Sequence, residues 1–192
     1  MIIGMRGHDF GRMEPRALAL AIREAGFEAT QLAFAKAFPA PAEQYMTPGA
    51  LSEIRSAFAG IVLPVMGCYV SASDRDPDVL AEAKARFKRS LSASVILGAG
   101  CVGTETTHFT FPESEREAAY ARLLDFTREV CAHAEQVHAL VGIEPVALHT
   151  LNTPELARRL IADVSSPNLR VILDTANLVT PESTAPEAQM EI

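Results

Sequence analysis

Leu140-Val141-Gly142-Ile143-Glu144-Pro145 and Leu169-Arg170-Val171-Ile172-Leu173-Asp174-Thr175-Ala176-Asn177 decide the reading of this chain. Each is a short apolar run that closes on a carboxylate, and the two carboxylates stand 30 residues apart. Runs that are apolar throughout, with no polar alternation, are what parallel strands covered on both faces require. A carboxylate closing such a strand projects from its C-terminal end, the edge where α/β folds bind ligands. Two of them on neighbouring strands make half of a divalent-metal site.

The rest of the chain repeats this unit. Pro15, Pro48, Pro77 and Pro154 each precede an amphipathic segment and follow Glu14, Thr47, Asp76 and Thr153. Proline suits the first helical position because its missing N–H would be unpaired there, and Thr or Asp before it can cap exposed donors. Gly26 and Gly60 are placed to close the first two helices in the left-handed conformation. Between the helices, apolar runs at 1–5, 29–34, 61–65, 95–97, 141–143 and 171–173 predict six strands separated by five helices. The longest helix is expected over 113–139. The alternation is α/β, either a (β/α)₈ barrel or an open doubly wound sheet. No Gly-x-Gly-x-x-Gly follows the first strand, which weakens the dinucleotide-binding version of the open sheet. Gly98-Ala99-Gly100-Cys101-Val102-Gly103 reads as a loop after the fourth strand, since no helix follows it to cradle a phosphate.

Composition bounds the function. With 192 residues, 48% hydrophobic and 21% charged, the chain can bury one good core. Its net charge of −7 speaks against a nucleic-acid binder, which usually carries a basic face. Cys68, Cys101 and Cys131 are odd in number, widely spaced and free of any Cys-x-x-Cys pair. They read as reduced thiols of a cytoplasmic protein, without a zinc site of their own. No run reaches the ~18 apolar residues of a membrane span, and the first residues lack a signal-peptide core.

Several stretches together resemble the xylose isomerase-like sugar isomerase and epimerase superfamily of metal-dependent (β/α)₈ barrels. They are Arg6-Gly7-His8-Asp9, Leu63-Pro64-Val65-Met66-Gly67-Cys68-Tyr69, Val102-Gly103-Thr104-Glu105-Thr106, Gly142-Ile143-Glu144-Pro145 and Leu173-Asp174-Thr175-Ala176-Asn177-Leu178, joined by the connection from Asn152 to Leu169. The resemblance covers residues 1–179 as a partial barrel of about six β/α units, followed by a polar, proline-containing tail over 180–192. It implies that Glu144 binds a divalent metal and moves a proton at the reacting carbon. It implies Asp174 as a second metal ligand, and Mn²⁺ or Mg²⁺, with Co²⁺ or Zn²⁺ as alternatives, as the ion. Asn177 stands where many members place a substrate-touching histidine; it can hydrogen-bond but not titrate near neutral pH.

The implied reaction is isomerisation or epimerisation of a sugar, polyol or similar hydroxy-carbonyl compound. Removing a proton beside a carbonyl creates an enediolate, whose charge a Lewis acid stabilises and whose proton a carboxylate carries. Members of this superfamily complete the site with a histidine on a seventh strand and a glutamate on an eighth. Only 18 residues follow Asp174 here, too few for two units of ~30 residues each. The expectation is therefore a C-terminally truncated barrel, inactive alone, with open first and sixth edges able to pair copies of the chain and an inner face rich in Val and Ile.

His8, Glu105, His108 and Asn177 fall after strands on the predicted rim and are candidate substrate contacts; a loop ion pair with Arg6 and Asp9 is the plainer role near His8. His149 and Asn152 could line the site or cap the helix at Thr153. His133 and His138 fall in or at the end of the long helix, away from the rim. Arg86, Lys88 and Arg89 read as helix-dipole partners near the end of the third predicted helix. A zinc apurinic endonuclease of the same superfamily is a rival, disfavoured by Asn177 and by only five histidines. A non-catalytic barrel remnant acting as a binding protein is the other.

Overall fold

The proline punctuation sets the helices. Pro15, Pro48, Pro77 and Pro154 each occupy the first position of α1 (Pro15–Glu24), α3 (Pro48–Ala57), α4 (Pro77–Leu97) and α6 (Pro154–Val164). Thr47, Asp76 and Thr153 accept hydrogen bonds from the N–H groups of Ala50, Asp78 and Leu156, satisfying donors that the first turn leaves unpaired. Gly26 and Gly60 adopt φ of 80° and 84° just past α1 and α3. A four-residue α2 (Phe34–Ala37) and the long α5 (Arg116–Val137) complete the helices. The computed structural model describes residues 1–178, so the tail expected over 180–192 lies outside the described residues.

Six parallel strands follow one another in space as they do in sequence. They are β1 (Gly4–Arg6), β2 (Ala29–Gln31), β3 (Val65–Gly67), β4 (Cys101–Glu105), β5 (Val141–Glu144) and β6 (Leu169–Val171). β1 pairs with β2, and β3 to β6 form one ladder. Bridges from Ala29 to Val62 and from Leu32 to Met66 join the two pieces. The result is an α/β arc of the barrel type. Helices cover its outer face, with α4 and α5 packed together through Phe87 and Phe126 at 5.6 Å edge to face. None of the helices is long and apolar enough to cross a membrane among the described residues.

The fourth strand is not at 95–97. Val95, Ile96 and Leu97 are the last turn of α4, whose buried positions Ala83, Phe87, Leu91, Ser94 and Leu97 keep helical spacing to the end. A three-residue apolar run carries too little periodicity to separate strand from helix. Gly98, at φ 71°, closes the helix, and of the glycine-rich stretch read as a loop only 98–100 connects, since Cys101, Val102 and Gly103 belong to β4. The third strand also begins later than 61–65, because Pro64 has no N–H to give the ladder. The second stops at Gln31 and yields to α2. The first and sixth occupy Gly4–Arg6 and Leu169–Val171 instead of 1–5 and 171–173. The longest helix, expected over 113–139, is α5, with a 3₁₀ turn at Glu113–Glu115 before it.

The inner face departs from the Val- and Ile-rich expectation. Gly67, Gly103 and Gly142 lie in register across β3, β4 and β5. Ile172 fills the space left by two of them, since a Cβ built on Gly103 or Gly142 would lie 2.6 or 2.8 Å from its Cδ1, while Ala33 and Tyr69 close over Gly67. Small residues under one large one pack this layer, as barrel interiors require.

Candidate functional site

Two residues beyond Gly103 and Gly142 on the same strands stand Glu105 and Glu144, again in register. Side chains two apart share a face of the sheet, so both carboxylates rise from the glycine-lined face at its C-terminal edge. Asp174 follows β6 on the same edge. There its Oδ1 accepts the backbone N–H groups of Ala176 and Asn177 at 3.0 and 3.3 Å, which starts a 3₁₀ turn over Ala176–Leu178. That turn brings Asn177 back over β5, where its Nδ2–H donates to Glu144 Oε1 at 2.7 Å. Asn177, expected as a substrate contact, is thus also the group that orients Glu144.

Glu144 is 8% exposed. Burial holds its carboxyl above the ordinary glutamate range, and the charges of Glu105 and Asp174 push the same way; the Asn177 hydrogen bond and Lys36 oppose them. Lys36, from α2, lies over the Tyr69 ring at 3.6 Å. Tyr69 hydroxyl accepts from Gln31 Nε2 at 2.8 Å. Burial, with help from the Glu105 and Glu144 charges, keeps the Tyr69 phenol protonated to higher pH than usual.

The histidines divide. His8 sits in the 3₁₀ turn after β1 with a buried Nδ1 that has no hydrogen-bond partner among the described residues. Burial lowers its pKa, and the Lys36 charge lowers it further. Beside it, Arg6 makes the bidentate ion pair with Asp9 at 3.0 and 3.2 Å. His108 is exposed and bridges backbone-to-backbone with His149, their rings edge to face at 5.7 Å. His149 Nε2 lies 3.9 Å from Glu105 Oε2. Burial lowers the His149 pKa more than the Glu105 charge raises it. Capping at the start of α6 belongs to Thr153 alone, so His149 is free to face the rim. His133 contacts Ser92 between α4 and α5, and His138 ends α5 in the left-handed conformation, both away from this edge.

The structure therefore gathers Glu105, Glu144, Asp174 and Asn177, with Lys36, Tyr69 and His149 beside them. The sequence reading overlooked Lys36 and Tyr69 as rim groups. A lone cation inside the apolar stretch from Leu32 to Phe38 was the available signal for Lys36.

Glu144 and Asp174 offer hard oxygen donors of the kind Mg²⁺ and Mn²⁺ prefer. The mutual repulsion that raises Glu144 is what a dication would relieve. No three His, Cys, Asp or Glu side chains converge on a common ion position among the described residues. The two carboxylates thus fit part of a coordination sphere.

A parallel β/α arc with carboxylates on its C-terminal edge defines a protein of the TIM-barrel class. The chain belongs to the xylose isomerase-like TIM barrel family, whose model matches residues 19–191. No curated protein sequence matches the chain. Among solved structures it is similar to a D-psicose 3-epimerase studied in the presence of D-fructose, with a TM-score of 0.75 and 21% identity over 93% of this chain and 65% of that one. It is also similar to 3-keto-D-glucoside 4-epimerase from E. coli, with a TM-score of 0.81 and 17% identity over 99% and 74%. A third is the IOLI protein with a bound zinc atom, with a TM-score of 0.76 and 18% identity over 98% and 70%. The chain spans about two thirds of the length of the D-psicose 3-epimerase chain.

Proposed function

We propose that this chain carries the acid/base half of a divalent-metal-dependent isomerase or epimerase acting on a sugar, polyol or similar hydroxy-carbonyl compound. The observation that supports it is Glu144: a buried carboxylate at a barrel rim, raised in pKa by burial and by two neighbouring acids, with one oxygen held by Asn177. Raising a carboxyl toward neutrality is how a fold obtains a competent proton carrier. Two of the similar structures are sugar epimerases, which supports the same substrate class.

In this reading Glu144 takes the proton from the carbon beside the carbonyl through the oxygen that Asn177 leaves free, and returns it there or hands it on. Asn177 fixes the carboxylate's orientation. Glu144 and Asp174 would hold the metal, which supplies Lewis-acid stabilisation of negative charge on the substrate oxygens when bound. His8, Glu105 and His108 contact substrate hydroxyls, and Tyr69 and Lys36 shield the rim from water. Mn²⁺ is the first ion to try, with Mg²⁺, Co²⁺ and Zn²⁺ as comparisons.

A calorimetric titration with Mn²⁺, followed by a panel of ketoses, tests the reading. Saturable binding that disappears in Asp174→Ala is expected. A folded protein that binds no divalent ion, or binds it equally well in Asp174→Ala, would sink it. Where turnover is found, Glu144→Gln is expected to cost about 10²-fold or more in kcat.

A further inference from the structure

Arg86 is the cation the site above does not use. The sequence reading placed Arg86, Lys88 and Arg89 near a helix end, where the dipole would welcome them. The structure puts all three in the middle of α4, which runs on to Leu97, so the dipole explains none of them. Lys88 pairs with Glu129 across to α5, and Arg89 pairs with Glu82 at 2.8 Å. Arg86 is half-buried and makes no ion pair or side-chain hydrogen bond among the described residues.

Its surroundings form a cavity of about 190 Å³ between α2, α4 and the end of β3. Lys36, Arg86 and Arg89 give it a cationic side, while Phe34, Met46 and Met66 give it an apolar one. Ser90 and the buried Cys68 close the wall between them. The one carboxylate at the cavity is Glu43, an exposed residue. A partly buried guanidinium without a carboxylate is costly to keep, and its planar fork is matched to carboxylate and phosphate oxygens. The space equals roughly six liquid waters, enough for an anionic head and a short chain.

We propose that this cavity is a second ligand site, separate from the carboxylate rim, that takes a small organic anion. Its carboxylate or phosphate head sits on Arg86 and Lys36, and its short apolar body rests against Phe34, Met46 and Met66. Lys36 belongs to both places, since its charge also reaches His8 and Glu144. An occupant is therefore felt at the rim without entering it.

Amide NMR on the full chain tests this with three probes: n-butyrate, inorganic phosphate and, as the neutral control, 1-butanol. Saturable shifts at Ala35, Lys36, Cys68 and Tyr69 are expected with at least one anion and not with 1-butanol. The better of the two anions identifies the head group. Arg86→Met keeps the apolar stem and should weaken binding roughly tenfold or more. Lys36→Met supplies a second variant with the same expected direction. Glu144→Gln removes the rim's proton carrier but no group that lines the cavity, so saturable anion binding should persist in it, which keeps this result separate from the fate of the proposed rim chemistry. The proposal falls if neither anion saturates the shifts, if 1-butanol matches them, or if both Arg86→Met and Lys36→Met bind the anion as tightly as the unaltered protein.

Discussion

The surroundings of Glu144 disfavour its charged form. Burial and two acidic neighbours raise its pKa, so its ionisation opposes folding: the raised folded pKa means that stability present at low pH is lost as pH rises through the Glu144 titration. Glu144→Gln retains an oxygen for Asn177 and removes that opposition. In metal-free protein the variant should melt higher than the original at pH 7, by a few degrees on a scale of roughly 2–4 °C per kcal/mol, and the gain should vanish near pH 3.5. Calorimetric melting at the two pH values checks it; a lower Tm at pH 7 would mean the carboxylate is a net stabiliser. At this scale, strand-end acids were readable because a carboxylate closing an apolar run has few other places to go. The Asn177–Glu144 contact was not, since it depends on a turn nucleated by Asp174 that no local pattern announces.

At the scale of elements, the glycines of β4 and β5 and the isoleucine beyond β6 form one packing unit. Gly103→Ala would bring a methyl within 2.6 Å of Ile172 Cδ1 and 2.7 Å of Val65 Cγ1. Such overpacking costs about 1–3 kcal/mol. Adding Ile172→Val, which removes that methyl, should recover part of the loss, so chemical denaturation of the two single variants and the double is expected to show a coupling of about 0.5 kcal/mol or more. Strict additivity would mean the two sites do not meet. The elements themselves were legible where capping spoke: three of the four proline-led helices start where Thr47, Asp76 and Thr153 placed them, and α1 starts at Pro15 without a side-chain cap. They were not legible at 95–97, where three apolar residues belonged to a helix whose face is set by contacts with α5. The inner face was misread for a related reason, because glycine in a strand signals close approach only once its neighbour across the sheet is known.

Across the whole molecule, two half-buried histidines contribute to the response to acid. His8 and His149 both titrate below their ordinary range because burial disfavours their charged forms. A base with a lowered folded pKa gives stability that is present above the unfolded value and lost as pH falls through the folded one. The melting temperature should therefore decline as pH falls below about 6.5, the ordinary histidine value. His149→Gln should flatten that decline; an unchanged slope would assign it elsewhere. The class of fold was legible from strand–helix alternation alone, whereas the clustering of Lys36, Tyr69 and His149 required three connections to fold back over one edge.

The neighbour-only strand order has a further consequence for how this chain is made. Among the described residues β2 pairs with β1 and is joined toward β3 by isolated bridges, and every later strand meets the one before it. As the polypeptide leaves the ribosome, each of β2 to β6 finds the preceding strand already made and can dock as it appears. Ile172 is delivered after both glycines it covers. The rim and its Glu144 thus reach their final packing in the last step of synthesis of the described residues, when β6 docks and Asp174 turns Asn177 back onto the carboxylate.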